Sequence, residues 1–183
     1  MGIELLESGG WEALTITEVC RRSGVSAPTI YARVDGRQGL FDAVYEVGMA
    51  RVRQTEIDYL RRPFDGDEVE LVAMAMWHTF DTNLALLRAV IRHSSSSDAL
   101  LKRGSEESRR MLAALSDQIH HRDRGAVDDA LKMMYAECVL RVMYGPGFLS
   151  EQTESADEFV GRMVTMTRMR LGVDGTPVGG PAR

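Results

Sequence analysis

Residues 15 to 41, TITEVCRRSGVSAPTIYARVDGRQGLF, constrain this chain more than any other stretch, because three helix starts and a glycine stop are packed into them. Thr15 followed three residues later by Glu18 has capping-box spacing, in which the hydroxyl accepts a first-turn amide and the glutamate reaches back, so a helix is expected from Ile16. Along it Ile16, Val19 and Cys20 share an apolar face, while Thr17, Glu18, Arg21 and Arg22 point elsewhere. Gly24 ends the helix, since a residue without Cβ takes the left-handed conformation cheaply. Val25 is then expected to plug inward and Ser26 to cap a second helix, with Pro28 in the first turn, where its missing amide costs nothing. This helix, about Ala27 to Val34, can bury only Ile30 and Val34. A two-turn helix that shows proline, threonine, tyrosine and arginine to solvent makes little sense as packing alone. Asp35 to Gln38 is a third start signal, opening a long helix through Leu40, Phe41, Val44 and Tyr45.

Helix, short glycine turn, then a stubby helix with a polar outer face is the helix-turn-helix arrangement, whose second helix lies in the DNA major groove. The string SGVSAPTIYARV followed by DGRQGLFDAV resembles the tetracycline-repressor-like (TetR) family, whose usual pattern is A-G-V-S-x-x-T-x-Y-x-x-F, a short loop with a basic residue, then Leu and an apolar helix. The likeness runs from Ile3 to about Ala50 and includes the lead-in helix IELLESGGWEALT. Val34 replaces the usual phenylalanine, Arg33 a frequent histidine, and Asp35-Gly36 the common Pro-Ser or Asn-Lys pair, which puts the target sequence in doubt. Relatives usually carry a longer first helix with a basic arm, whereas this chain opens at Ile3-Glu4-Leu5-Leu6, so either its start is trimmed or it binds DNA more weakly.

The resemblance implies that Thr15, Thr17, Tyr31 and Arg37 hold phosphates, which suits hydroxyl donors, a helix N-terminus and a fixed cation. Ala27, Pro28, Thr29, Ala32 and Arg33 would then face base edges, with Arg33 forking onto a guanine and the smaller groups meeting thymine methyls. Arginines 21, 22, 33 and 37 outnumber Glu18 and Asp35 locally, although the chain as a whole carries a net charge of -5. That balance argues against broad nonspecific nucleic-acid binding and leaves room for one focused basic face.

Length allows one or two domains, and a substantial core, in 183 residues. Cys20 and Cys138 both lie on apolar helix faces, which fits reduced buried thiols better than a disulfide or zinc site. MGIELLESGG has neither the basic nor the apolar part of a signal peptide, and no apolar run approaches the ~18 residues of a membrane span. A cytoplasmic protein is therefore expected.

Beyond the head, the fourth helix runs through Val52, Ile57 and Leu60 to Pro63 and is the connector through which the rest of the chain can tilt the head. Val69, Val72, Ala73, Met76, Phe80, Leu84, Leu87 and Ile91 predict one amphipathic helix from about Asp67 to His93. Serines 94 to 97 form a loop, with Ser97 capping a segment from Asp98 to Gly104; Met111 to Ile119, Gly125 to Tyr144, and a last helix capped at Ser150 or Ser155 and ending at Leu171 follow. About nine helices and no strand signal make the chain all-α. Residues 1–48 form the helix-turn-helix domain with its three helices, 49–172 the antiparallel helical body that binds effector and partner, and 173–183 a disordered tail.

Such regulators pair their last two helices with those of a second copy, and here Ala130, Ala136 and Gly161 would permit close approach. Met74, Met76, Trp77, Phe80, Met111, Leu115, Met134, Tyr135 and Cys138 either surround a small hydrophobic effector or are ordinary core. The expected function is thus a ligand-responsive regulator, a repressor in the common case, that binds a palindromic DNA operator as a homodimer and needs no cofactor. An enzyme-like bundle is the first rival, yet Asp117 with His120 and His78 with Asp81 are the only His–carboxylate pairs on helices, and no metal or nucleophile motif accompanies them. A helical adaptor that has lost DNA binding is the second.

Overall fold

The computed structural model describes residues 1–94, 97–148 and 152–173. Among the described residues there are nine α-helices and no strand: α1 (Gly2–Ala13), α2 (Ile16–Ser23), α3 (Ala27–Tyr31), α4 (Gly36–Leu60), α5 (Glu68–Thr82), α6 (Leu84–Ser94), α7 (Asp98–Ser116), α8 (Arg124–Tyr144) and α9 (Ala156–Leu171). The all-α class is as expected, and the helix count agrees through two differences that offset each other. The helix expected from Asp67 to His93 is broken at Asn83, whose carbonyl accepts the Leu87 N–H at 2.8 Å and so starts α6. Its buried side chain is held by Arg51, whose Nε donates to Asn83 Oδ1 at 3.0 Å, and periodicity alone cannot see an asparagine fixed in this way. Conversely, the segments expected at Asp98–Gly104 and from Met111 are one helix, α7, because a Cβ on Gly104 would meet nothing and the glycine is tolerated in an open helical position.

Packing divides the chain into two units, Met1–Gln54 with Asn83–Glu107 and Thr55–Thr82 with Ser108–Arg183. The unit holding the helix-turn-helix therefore extends past residue 48 and takes in α6, which packs along α1. Gly10, at φ 63°, kinks α1 just before Trp11. Leu5, Leu6, Leu14, Phe41, Leu86 and Leu100 fill the core of this unit. The indole of Trp11 stacks on the His93 ring at 4.0 Å and meets Phe41 edge-on at 5.2 Å.

In the second unit α5, α8 and α9 pack against one another around Val72, Met76, Leu131, Cys138, Phe159 and Met163. Burial drives the Cys138 thiol pKa upward, so the sulfur acts as a small hydrophobe. A full capping box opens α9, with Ser155 Oγ accepting the Glu158 N–H at 3.2 Å and Glu158 Oε2 accepting the Ser155 N–H at 2.8 Å. The alternative start at Ser150, the serines at 95 and 96, and the tail from 174 onward lie outside the described residues.

Candidate nucleic-acid interface

Thr15 takes extended backbone angles and its Oγ1 accepts the Glu18 N–H at 3.2 Å, so the hydroxyl is the cap of α2. The return half of the expected capping box is replaced. Glu18 Oε2 accepts Arg21 Nε at 2.8 Å, and Oε1 accepts both Arg21 Nη2 and Arg22 Nε at 2.6 Å. Two guanidiniums offer charge-assisted bonds that a single neutral amide does not match. They hold the Glu18 carboxyl at about 2, with Arg21 the larger cause and Arg22 the second.

Gly24 closes α2 in the left-handed region at φ 71°, with its N–H on the Cys20 carbonyl. Val25, expected to plug inward, is 39 % exposed instead, in a turn where its N–H donates to Ser23 Oγ at 3.2 Å. Ile16, Val19 and Cys20 are half-buried and α2 has no fully buried residue, since a two-turn helix resting on a five-residue one covers only part of its apolar face.

Ser26 precedes α3 with extended angles, but its hydroxyl pairs with Thr29 Oγ1 at 2.8 Å in place of an amide. Formal α3 ends at Tyr31, short of the expected Val34, although helical bonding continues through Ala32 N–H to Pro28 O and Val34 N–H to Ile30 O, each 3.0 Å. Ile30 is its buried anchor and Val34 is half-buried. On the other side Pro28, Thr29, Ala32 and Arg33 are exposed, Tyr31 is 59 % exposed, and Ala27 is half-buried. The Arg33 N–H donates to Ile30 O at 2.9 Å, while its guanidinium has no hydrogen bond or ion pair to any described residue.

Of the expected phosphate-holding groups, Thr17 is exposed and Thr15 half-buried, both at the α2 N-terminus. Arg37, partly exposed, is tied to the end of α1. Its Nε donates to Leu14 O at 3.1 Å, its Nη2 to Trp11 O at 2.5 Å, and its guanidinium lies over the Trp11 ring at 4.3 Å. It fastens the start of α4 to the α1–α2 turn, where the carbonyls at the end of α1 need donors. The His93 partner in this stack has its pKa lowered by burial and then by Arg37. A Trp–His contact across so long a sequence separation leaves no local signature, whereas the Glu18 clamp joins an acid to arginines three and four residues on, a local signal that the capping-box spacing masked.

The residues expected to form an effector pocket are divided by the structure. Met74 and Trp77 line a groove of about 590 Å³ between α5 and α9, together with Tyr59, His78, Val160 and Val164. Phe80, Met76, Met111, Leu115, Met134 and Cys138 are buried core. Tyr135 packs edge-on against Phe80 at 5.3 Å and its hydroxyl bonds Ser108 at 2.6 Å; burial pushes its pKa up. On α8 and α9, Ala130 is core, but Met133, Ala136, Tyr144, Met166 and Met169 are exposed, Met169 at 76 %. A Cβ on the exposed Gly161 would meet nothing.

The rival pairs are otherwise engaged. His120 Nδ1 lies 2.6 Å from Glu68 Oε1, and His78 packs on the Tyr59 ring at 4.8 Å with its pKa lowered mainly by burial. Among the described residues no group of three His, Cys, Asp or Glu side chains is placed to hold a metal ion, and no helix is long and apolar enough to cross a membrane.

Residues 2–44 match the family described as "Bacterial regulatory proteins, tetR family". No curated protein matches the chain. Among solved structures, a Clostridium perfringens putative fatty acid metabolism regulator has the same fold at 16 % identity and a TM-score of 0.56, over 95 % of this chain and 96 % of that one.

Proposed function

We propose that this chain, whose residues 2–44 match the tetR family of bacterial regulatory proteins, is a cytoplasmic transcriptional regulator of the TetR family, not an enzyme, that binds a palindromic operator as a homodimer and responds to a small hydrophobic effector. The observation that carries this reading is the outer side of α3, where Pro28, Thr29, Tyr31, Ala32 and Arg33 project with only Ile30 buried beneath them. A guanidinium with no partner among the described residues, beside small apolar groups, has the chemistry of a guanine fork next to thymine methyls. The exposed apolar stripe of Met133, Tyr144, Met166 and Met169 supports pairing of α8 and α9 with a second copy. A two-fold pair would put two recognition helices on successive major grooves roughly 34 Å apart.

The groove of Met74 and Trp77 is the effector site in this reading, an apolar wall rimmed by Tyr59, His78 and the charged side chains of Glu70, Asp81, Asp157 and Arg168. Release of DNA requires that the effector bind one conformation of the dimer more tightly than the other. The adaptor reading is favoured by one observation, the neutralisation of Arg21 and Arg22 by Glu18, which removes cations from the head.

Selection of duplexes from a random library by the purified chain, followed by footprinting, separates the two. A regulator enriches a two-fold symmetric site with protections one helical turn apart. An adaptor enriches nothing.

A further inference from the structure

The charge pattern of α2 bears on how the head trades affinity for selectivity. Thr17 and Arg21 lie four residues apart and so on one side of α2, and Thr15 and Thr17 stand at its N-terminus, where the phosphate contacts of the proposed function fall. Arg21 is therefore one turn along from the DNA backbone, and Arg22 is its neighbour. Both are exposed, yet neither is idle. The Glu18 carboxylate accepts two N–H bonds from Arg21 and one from Arg22, all within 2.6 to 2.8 Å. A DNA phosphate would present to those guanidiniums the same kind of acceptor, two oxygens on one anionic centre.

We propose, resting on the DNA-binding reading above, that Glu18 is a built-in competitor for DNA phosphate, which holds Arg21 and Arg22 off the backbone and so lowers sequence-independent affinity while leaving base reading to Arg33. Phosphate contacts add affinity without sequence information, and each adds about 0.9 to the slope of log K against log salt. With both arginines clamped, two of the head's four guanidiniums are withheld and the Glu18–Arg21–Arg22 triad keeps only a net charge of +1, while Arg37 is already committed to the carbonyls of Trp11 and Leu14. Arg33 is left as the exposed cation of the segment with no described partner. Selectivity rises because the term common to all sequences has been cut.

The test compares the full-length wild-type chain with Glu18→Gln, which keeps side-chain length and the backbone N–H that Thr15 accepts. Binding is measured by fluorescence anisotropy over a salt series, on a mixed-sequence duplex of about 30 base pairs, long enough for two half-sites, and on the duplex enriched by the wild-type chain. Glu18→Gln is expected to tighten binding to the mixed-sequence duplex about 10-fold and to steepen its salt slope by about 1 to 2. The enriched duplex gains less, so the ratio between the two falls. A second pair closes the cycle: Arg21→Gln with Arg22→Gln changes the slope little in the wild-type background and abolishes the gain in the Glu18→Gln background. If the wild-type chain enriches an operator but the slope is unchanged by Glu18→Gln, or if the double arginine variant loses as much slope with Glu18 present as without it, the competitor role is wrong and the DNA-binding reading stands. If no duplex is bound by either chain, both fall together.

Discussion

The helix-turn-helix segment and the α5–α8–α9 trio obey opposite rules, and the contrast explains where each spends its side chains. In α2 no residue is fully buried and in α3 only Ile30 is, so local hydrogen bonds and charge fix the shape: the Thr15 cap, the left-handed Gly24, the Ser26–Thr29 hydroxyl pair and the Glu18 clamp. In α5, α8 and α9 the burial of Val72, Met76, Leu131, Cys138 and Met163 does that task, and the polar side chains enclosed with them are satisfied within the bundle, as Thr79 is on the Ala75 carbonyl and Tyr135 on Ser108. A surface meant to meet another molecule has to keep its polar groups outward and its conformation set from within. A core has no such conflict.

The contrast breaks most visibly in stability. Leu131→Ala, at 1 % exposure, is expected to cost about 2 to 5 kcal/mol in urea unfolding, whereas the half-buried Val19→Ala in α2 should cost about 1 kcal/mol or less. Comparable losses at the two sites would mean that the head is built like the trio. Next comes Arg37→Ala, which removes bonds to two carbonyls and a ring contact; it is expected to destabilise the first unit by about 1 to 2 kcal/mol, seen as faster amide exchange around Leu14 and Thr15. A variant that leaves exchange unchanged and weakens every DNA sequence alike would return Arg37 to a phosphate-holding role.

The smallest effect is one of pH. The pKa of His93 is lowered, chiefly by burial and then by Arg37, with Glu12 and Asp42 opposing. The unfolded chain therefore takes up this proton at a higher pH than the folded one, so stability is complete above the ordinary value of 6.5 and declines as pH falls below it. His93→Phe, which keeps a ring against Trp11, should flatten that decline in thermal melts between about pH 7 and pH 5, the range in which an ordinary histidine titrates.

Much of this was legible in the sequence because it is written locally. The Thr15 cap, the Gly24 stop, Pro28 in a first turn and the outward set from Pro28 to Arg33 all depend on residues within a few positions of one another. The clamp of Glu18 was equally local, but a capping box uses the same spacing, and only coordinates show that two guanidiniums outcompete one amide. What escaped reading depends on distant partners. Asn83 breaks a periodic helix because Arg51 reaches it, and Arg37 is tied to the end of α1 because the carbonyls of Trp11 and Leu14 accept from it. Met74, Met111 and Met134 were expected together around one effector or in one core, yet Met74 faces a groove while Met111 and Met134 are core, a difference fixed by which neighbour covers each face.

The central claim is that the outer side of α3 reads base edges, and the affinity of Arg33→Ala for single-base variants of the selected operator tests it most directly. The account predicts a loss of about 1 to 3 kcal/mol on the parent site, confined to one base position per half-site at which the variant no longer discriminates. A loss spread evenly over all sequences, or none at all, would contradict it.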